Sequence, residues 1–250
     1  MVTSGLFLEG DHGLIALSES PFELEDDLQE LVARRPELLS GDDDAATGRR
    51  WLLIRREQGI ATGPGEGARF SLDHLFVDQD GIPTLVEVKR SSDTRARREV
   101  VAQMLDYAAN ARFLEPGELR SEFEREHGDA AGEELKARLG EGMDPDELWR
   151  ATAGNLERGN LRLVFLADKI LPELRTVVEF LNEQLRTMEV VAVEVATFQA
   201  GEIRVLRART IGQTQAAKAA KGRSRRTPEQ LSEAAKKAWA TRRAREQDAL

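Results

Sequence analysis

No cysteine occurs in the 250 residues, and that absence removes disulfide cross-links, thiolate zinc sites and cysteine nucleophiles from consideration. Histidine is scarce too. Its three copies are too scattered for an all-histidine metal site, so a bound metal would have to be held by oxygen. No run of about 18 apolar residues occurs, which argues against a membrane-spanning helix. The opening "MVTSGLFLEGDHG" has neither the basic start nor the apolar core of a signal peptide. A cytoplasmic protein without a membrane partner is therefore expected.

What is present is enough apolar residue, 40% of the chain, to build a sizeable core. The length suits one large domain with additions, or two small ones. Charge is unevenly placed. Residues 212–250 carry ten Lys/Arg against four acids, whereas residues 1–211 carry 26 basic and 41 acidic residues, a net of −15. An acidic body with a basic tail fits a protein whose tail meets a polyanion, although solubility alone would also explain the acidic body.

The pattern along the chain predicts an N-terminal β-hairpin over residues 1–20. A helix follows from "SPFELEDDLQELVARRPELL", with Ser20 as N-cap and Pro21 in its first turn. "RRWLLIRREQGI" reads as a strand, and "SLDHLFVDQDGIPTLVEVKR" (71–90) as two strands about a turn. Residues 93–113 then take helical spacing, with Val100, Met104, Tyr107, Ala108 and Ala111 on one side. Residues 115–159 are polar and acidic and are expected to form a helical insertion. "NLRLVFLAD", an amphipathic helix and two more strands complete an α/β domain over 160–211, and a basic tail occupies 212–250. Its start, "AAKAAKGRSRR", is expected to be a disordered linker, followed by a short helix capped by Thr227 and Pro228. This order, with 20–114 as the central unit, predicts an α/β fold with a mixed sheet.

The hairpin at 71–90 raises a chemical question. Strand alternation puts Leu85, Glu87 and Lys89 on one face and Val86 and Val88 on the core face. Asp73 falls opposite Glu87 or within one residue of it, depending on how Gly81 sets the turn. Two carboxylates side by side repel, so a shared proton, a basic side chain or a divalent cation must offset them. An ordinary salt bridge with Lys89 is one reading. Against it stand the apolar surroundings, where an uncompensated charge is costly, and the neighbours available. Gln103 and Tyr107 lie four apart on the following helix. At about 100° per residue, Glu25 borders the apolar stripe Leu24, Leu28, Leu31 and Val32 of the first helix, while Glu30 faces away. Arg95, Arg97 and Arg98 crowd the start of the second helix, where the helix dipole disfavours cations unless an anion is near.

His74 adjoins Asp73 but points to the other strand face, which favours packing, and Trp51 and Phe76 read as core. Glu57 in "RREQG" could approach the hairpin but reads better as an ordinary strand-end acid. Trp239 in the tail could stack on a base or dock a helix on a partner.

A helix bearing Glu25, three strands, "LD" at 72–73, "EVK" at 87–89 and a helix with "QMLDY" at 103–107 resemble the PD-(D/E)XK nuclease superfamily. Its core runs αβββαβ, and the thirteen residues between Asp73 and Glu87 lie within its usual range. The Gln…Tyr element is similar to that of RecB-like nucleases, and "RPELL" with "LVEVKR" to NucS-type endonucleases. The resemblance covers roughly residues 20–112, with the strand at 161–167 as its completion, and departs from the pattern at Leu72, where the name-giving proline would stand.

The resemblance implies a restriction-endonuclease-like fold and a Mg²⁺-dependent deoxyribonuclease, with Mn²⁺ as a substitute. It makes Asp73, Glu87, the backbone carbonyl of Val88 and Glu25 the metal-binding set, with Lys89, Gln103 and Tyr107 completing the catalytic group. DNA would be the partner, met by Arg95, Arg97 and Arg98 and by Arg225, Arg226, Lys236, Lys237, Trp239, Arg242 and Arg243 of the tail. Repair, restriction and phage defence are all open, and a homodimer would suit two nicks in a duplex. The rival expectations are a non-catalytic or subunit-dependent DNA- or partner-binding module on the same fold, and an unrelated α/β domain whose carboxylates form a salt bridge.

Overall fold

The computed structural model describes residues 3–10, 13–42, 48–61, 63, 67–92 and 96–224. The elements run β1 (Thr3–Gly10), β2 (Gly13–Glu19), α1 (Glu25–Arg34), β3 (Trp51–Ala61), β4 (Ala68–Asp78), β5 (Pro83–Lys89) and α2 (Ala96–Asn110). Then come α3 (Pro116–His127), α4 (Ala131–Leu139), α5 (Pro145–Glu157), β6 (Arg162–Ala167), α6 (Pro172–Gln184), β7 (Glu189–Ala200), β8 (Ile203–Ile211) and α7 (Gln215–Ser224). The fold is mixed α/β, built on one open eight-stranded sheet in the order β1-β2-β7-β6-β5-β4-β3, with β8 also on β7. β5, β6 and β7 are parallel, and the other pairs are antiparallel.

The centre of the sheet is buried on both faces, as parallel strands usually are. Along β6 every residue is buried. Leu163, Phe165 and Ala167 join the core under the helices α2 to α6, while Val164 and Leu166 join the core under α1. β5 alternates in the same way, with Leu85 on the first side and Val86 and Val88 on the second. Glu87 takes the first side, where a hydrophobic residue would otherwise go.

The β4–β5 turn is rigidly made. Asp78 Oδ1 accepts the main-chain N–H groups of Asp80 and Ile82 at 3.0 and 2.9 Å, and Gly81 takes φ +69°. A Cβ there would lie 2.7 Å from Ala151 Cβ and 2.8 Å from the main-chain nitrogen of Thr152 in α5. Only glycine combines that φ with that approach. The buried Asn155 of α5 then donates to the carbonyls of Asp80 and Gly81 at 3.1 and 2.8 Å.

At the same end of the sheet Arg162 is 2% exposed and is held by Asp78 Oδ2 at 3.1 Å and Glu189 Oε2 at 2.7 Å, with Trp51 beneath it. A buried cation needs such partners. Burial works against the Glu189 carboxylate, but Arg162 and Arg49 outweigh it and hold its pKa down at about 2.

Two expectations are corrected. α1 begins at Glu25, not at Ser20–Pro21. Asp27 Oδ2 accepts the Leu24 N–H at 3.1 Å, and the acids Glu25, Asp26 and Asp27 fill the first turn, where the helix dipole favours them. Leu24 therefore lies before the helix, 62% exposed, and is not part of its buried stripe. Second, the start of the basic tail is helical rather than a disordered linker. Its alanines favour helix, Thr214 Oγ1 caps α7 by accepting from Ala217 N at 3.1 Å, and Lys221 donates to the Asn182, Leu185 and Met188 carbonyls around the end of α6. Among the described residues no helix is long and apolar enough to cross a membrane.

Candidate active site

The β4–β5 ladder pairs His74 with Val86 and Leu75 with Leu85. One step further, the same register sets Asp73 opposite Glu87, and there a side chain takes over from the main chain. Asp73 Oδ2 accepts the Val88 N–H at 2.7 Å, which fixes the carboxylate against the end of β5.

Lys89, two residues beyond Glu87 on the same face, gathers the charges. Its Nζ lies 3.0 Å from Glu25 Oε1, 3.3 Å from Glu87 Oε1 and 4.0 Å from Asp73 Oδ2. Four of the residues expected from sequence thus converge. α1 contributes through its first residue, β4 through Asp73 and β5 through Glu87 and Lys89. The placement is graded, since the Glu87 side chain is 3% exposed, Asp73 16%, Lys89 25% and Glu25 34%.

Three carboxylates surround one ammonium. Burial, then Asp73, pushes the Glu87 carboxyl up to about 7, with Lys89 opposing. Burial also raises Asp73, against the stabilising Val88 hydrogen bond and Lys89. For Lys89 burial disfavours the charged form, but Glu87, Asp73 and Glu25 outweigh it and raise the pKa. Glu87 Oε2 is buried without a hydrogen-bond partner, an arrangement that is costly unless something else meets it.

α2 covers the cluster. Tyr107 Oη donates to the Ser71 carbonyl at 2.8 Å, so it ties α2 to β4. It is close enough to the carboxylates that Glu87 and Asp73 add to the effect of burial in pushing it up to about 12. Gln103, one turn earlier, is half-buried.

Two contributors were not assigned from sequence. Glu57 takes φ +50° and is the one non-glycine residue with positive φ among the described residues. Its neighbours pair as Arg56 with His74 and Gln58 with Leu72, which sets Glu57 opposite Asp73, whose pKa it helps to raise. A glutamate in this conformation is strained, and no sequence signal announces it. Asp168, just past β6, accepts from Ser91 N at 2.6 Å and Ser91 Oγ at 3.1 Å, pinning the chain after Lys89. Its position at the end of a parallel strand is the only cue that sequence offers.

His74 is fully buried and stacks on Phe76, ring centroids 5.8 Å apart. Burial, then Arg56, pushes its pKa down to about 4, so it packs as a neutral ring, as its strand face implied. Trp51 and Phe76 are core residues. Of the expected nucleic-acid contacts, Arg95, Arg225, Arg226, Lys236, Lys237, Trp239, Arg242 and Arg243 lie outside the described residues. Arg97 and Arg98 are placed in α2 by their main chain only.

The donor chemistry fits a hard divalent cation. Asp73 and Glu87 offer carboxylate oxygens, one of them buried and unpartnered, in a cluster that sets three carboxylates around one ammonium. Among the described residues no group of three or more His, Asp or Glu could hold a metal by itself, so a main-chain oxygen and water would have to complete the set. No family model, curated protein or solved structure matches the chain.

Proposed function

We propose that the chain is a metal-dependent deoxyribonuclease with a restriction-endonuclease-like core formed by α1, β3, β4, β5, α2 and β6. The observation that carries this reading is the convergence of Asp73, Glu87 and Lys89 at the end of β5, with a Glu87 oxygen left unpartnered in a buried position. Buried charge of this kind is costly and is usually kept for function.

Asp73, Glu87 and the Val88 carbonyl would hold a Mg²⁺ ion, with Glu25 at its margin, and Mn²⁺ would take its place. When bound, such an ion polarises a phosphodiester and makes its bound water more acidic. The chain's own residues supply the rest. Lys89, kept protonated by its three carboxylates, would stabilise the charge that develops on the phosphoryl oxygens. Gln103, one turn before Tyr107 on α2, would orient the attacking water or the strand. Tyr107 acts as a positioning residue, because its hydroxyl is spent on the Ser71 carbonyl. Asp168 fixes the main chain just after Lys89 through Ser91. The basic tail would supply affinity for nucleic acid that is independent of sequence.

Pure protein incubated with single-stranded, duplex and branched DNA, with Mg²⁺ or Mn²⁺, tests the reading. Cleavage abolished by Glu87→Ala and by Lys89→Ala is expected. Cleavage that survives both substitutions would refute the assignment, and binding without cleavage of any substrate would favour a docking module.

A further inference from the structure

At the far end of the sheet, about 17 Å along β5 from Glu87 at about 3.3 Å per residue, a cavity of about 310 Å³ opens at the starts of the three parallel strands. Ile82, Leu161 and Arg162, and Thr187 and Glu189 bring β5, β6 and β7 to it, while Arg158, Asn160, Arg186 and Lys221 form the rest of its wall. We infer that this cavity binds the phosphate group of a small ester of about mononucleotide size. The inference does not depend on the nuclease reading.

Charge is the first argument. The cavity and the ion cluster behind it hold five cations, Arg49, Arg158, Arg162, Arg186 and Lys221, against two carboxylates, Asp78 and Glu189. Four of the five cations belong to residues 1–211, which as a whole carry a net charge of −15, so this concentration runs against the charge of the body, and Lys221 adds a fifth from the tail. The two carboxylates are taken by Arg162 and Arg49. Arg158 and Arg186, both exposed at the mouth, have no carboxylate partner among the described residues.

Preorganisation is the second. Arg158 Nη2 donates to Asn155 Oδ1 at 3.0 Å, and Asn160 Nδ2 donates to the same oxygen at 2.8 Å. Asn155 is itself anchored to the β4–β5 turn through the Asp80 and Gly81 carbonyls. One face of the Arg158 fork is thereby fixed while its remaining N–H groups stay available. A planar guanidinium held in this way suits the bidentate recognition of a phosphate. The Thr187 hydroxyl and Arg186 can close on the remaining oxygens.

Size is the third. About 310 Å³ lies at the small end of the range for ligand pockets, larger than bare phosphate requires and too small for an extended cofactor. The apolar wall is limited to Ile82 and Leu161, enough to cover one face of a sugar or base.

Thermal shift and calorimetry on the full chain test this, with inorganic phosphate, deoxyadenosine monophosphate and a short single-stranded oligonucleotide as probes. The monophosphate is expected to bind saturably and raise the melting temperature, with inorganic phosphate weaker. In R158A/R186A the affinity is expected to fall at least about tenfold, in R158K/R186K by less, and in Glu87→Gln not at all. The two exposed arginines lie outside the core, so the ligand-free variants should melt close to the parent. Competition by the oligonucleotide would identify a strand end as the source of the phosphate, and its absence a free nucleotide; either supports the site. Failure of all three probes to bind or shift melting, or unchanged affinity in R158A/R186A, would overturn it.

Discussion

Glu87 is held in a position that favours its neutral form, and that has a cost which a substitution can reveal. A carboxyl with its pKa raised from 4.5 to about 7 contributes stability that is fully present below 4.5 and is lost as the pH rises through 7. The displacement corresponds to about 3 kcal/mol. Glu87→Gln should therefore stabilise the protein by about that amount at pH 8, while leaving it almost unchanged at pH 4.5. Urea unfolding at the two pH values checks this, and a destabilised variant at pH 8 would contradict it. Glu57 carries backbone strain at φ +50°, so Glu57→Gly should raise stability by about 1 kcal/mol, read as a higher urea midpoint at unchanged slope. Of these two residues only Glu87 was legible in the sequence. The alternation of Leu85, Val86, Glu87, Val88 and Lys89 puts a charge on a face that ought to be apolar. The left-handed backbone of Glu57 has no such signature, because glutamate is not a residue that favours it.

Elements formed where local pattern and tertiary demand agreed. β5 and β6 read correctly from their apolar runs because parallel central strands are buried on both sides. The turn between β4 and β5 was legible from Asp78 to Gly81. Less visible was that Gly81 is required by α5, from a part of the chain that looked like a peripheral acidic insertion. Gly81→Ala combines an unfavourable φ with a Cβ placed 2.7 Å from Ala151 Cβ, and should cost about 2–3 kcal/mol. Because Asp73 and Glu87 hang from this turn's two strands, the variant's thermal midpoint should fall with it, measured by circular dichroism. The start of α1 was misplaced, and α7 was taken for a disordered linker, for a common reason. Ser20–Pro21 and the Gly-Arg-Ser stretch are only local signals. The acids at 25–27 and the Lys221 contacts on α6 outweigh them.

At the scale of the molecule two ion clusters sit at opposite ends of one sheet and differ in kind. Arg162 and Arg49 with Asp78 and Glu189 set two cations against two carboxylates, whereas Lys89 with Glu25, Asp73 and Glu87 is over-supplied with carboxylate and partly open. The pairing of Arg162 with Asp78, 84 residues apart, is not readable from sequence, whereas the Lys89 cluster was foreshadowed by strand alternation and by the placing of Glu25 beside the apolar stripe of its helix. On the proposed nuclease reading the basic tail supplies the affinity for nucleic acid, so a chain lacking residues 225–250 should bind DNA more weakly. Its salt dependence should be shallower by roughly one unit of slope for each phosphate that the tail would otherwise neutralise. Filter binding across a salt series measures this, and an unchanged slope would remove the tail from the interface. On the proposed reading the over-supplied cluster acts on a phosphodiester. The most direct test is the single-turnover cleavage rate of end-labelled DNA in Mn²⁺, compared between the native chain, Glu87→Gln and Lys89→Ala. A fall of at least about a hundredfold in both variants, with DNA affinity retained, is predicted; equal rates in all three would contradict it.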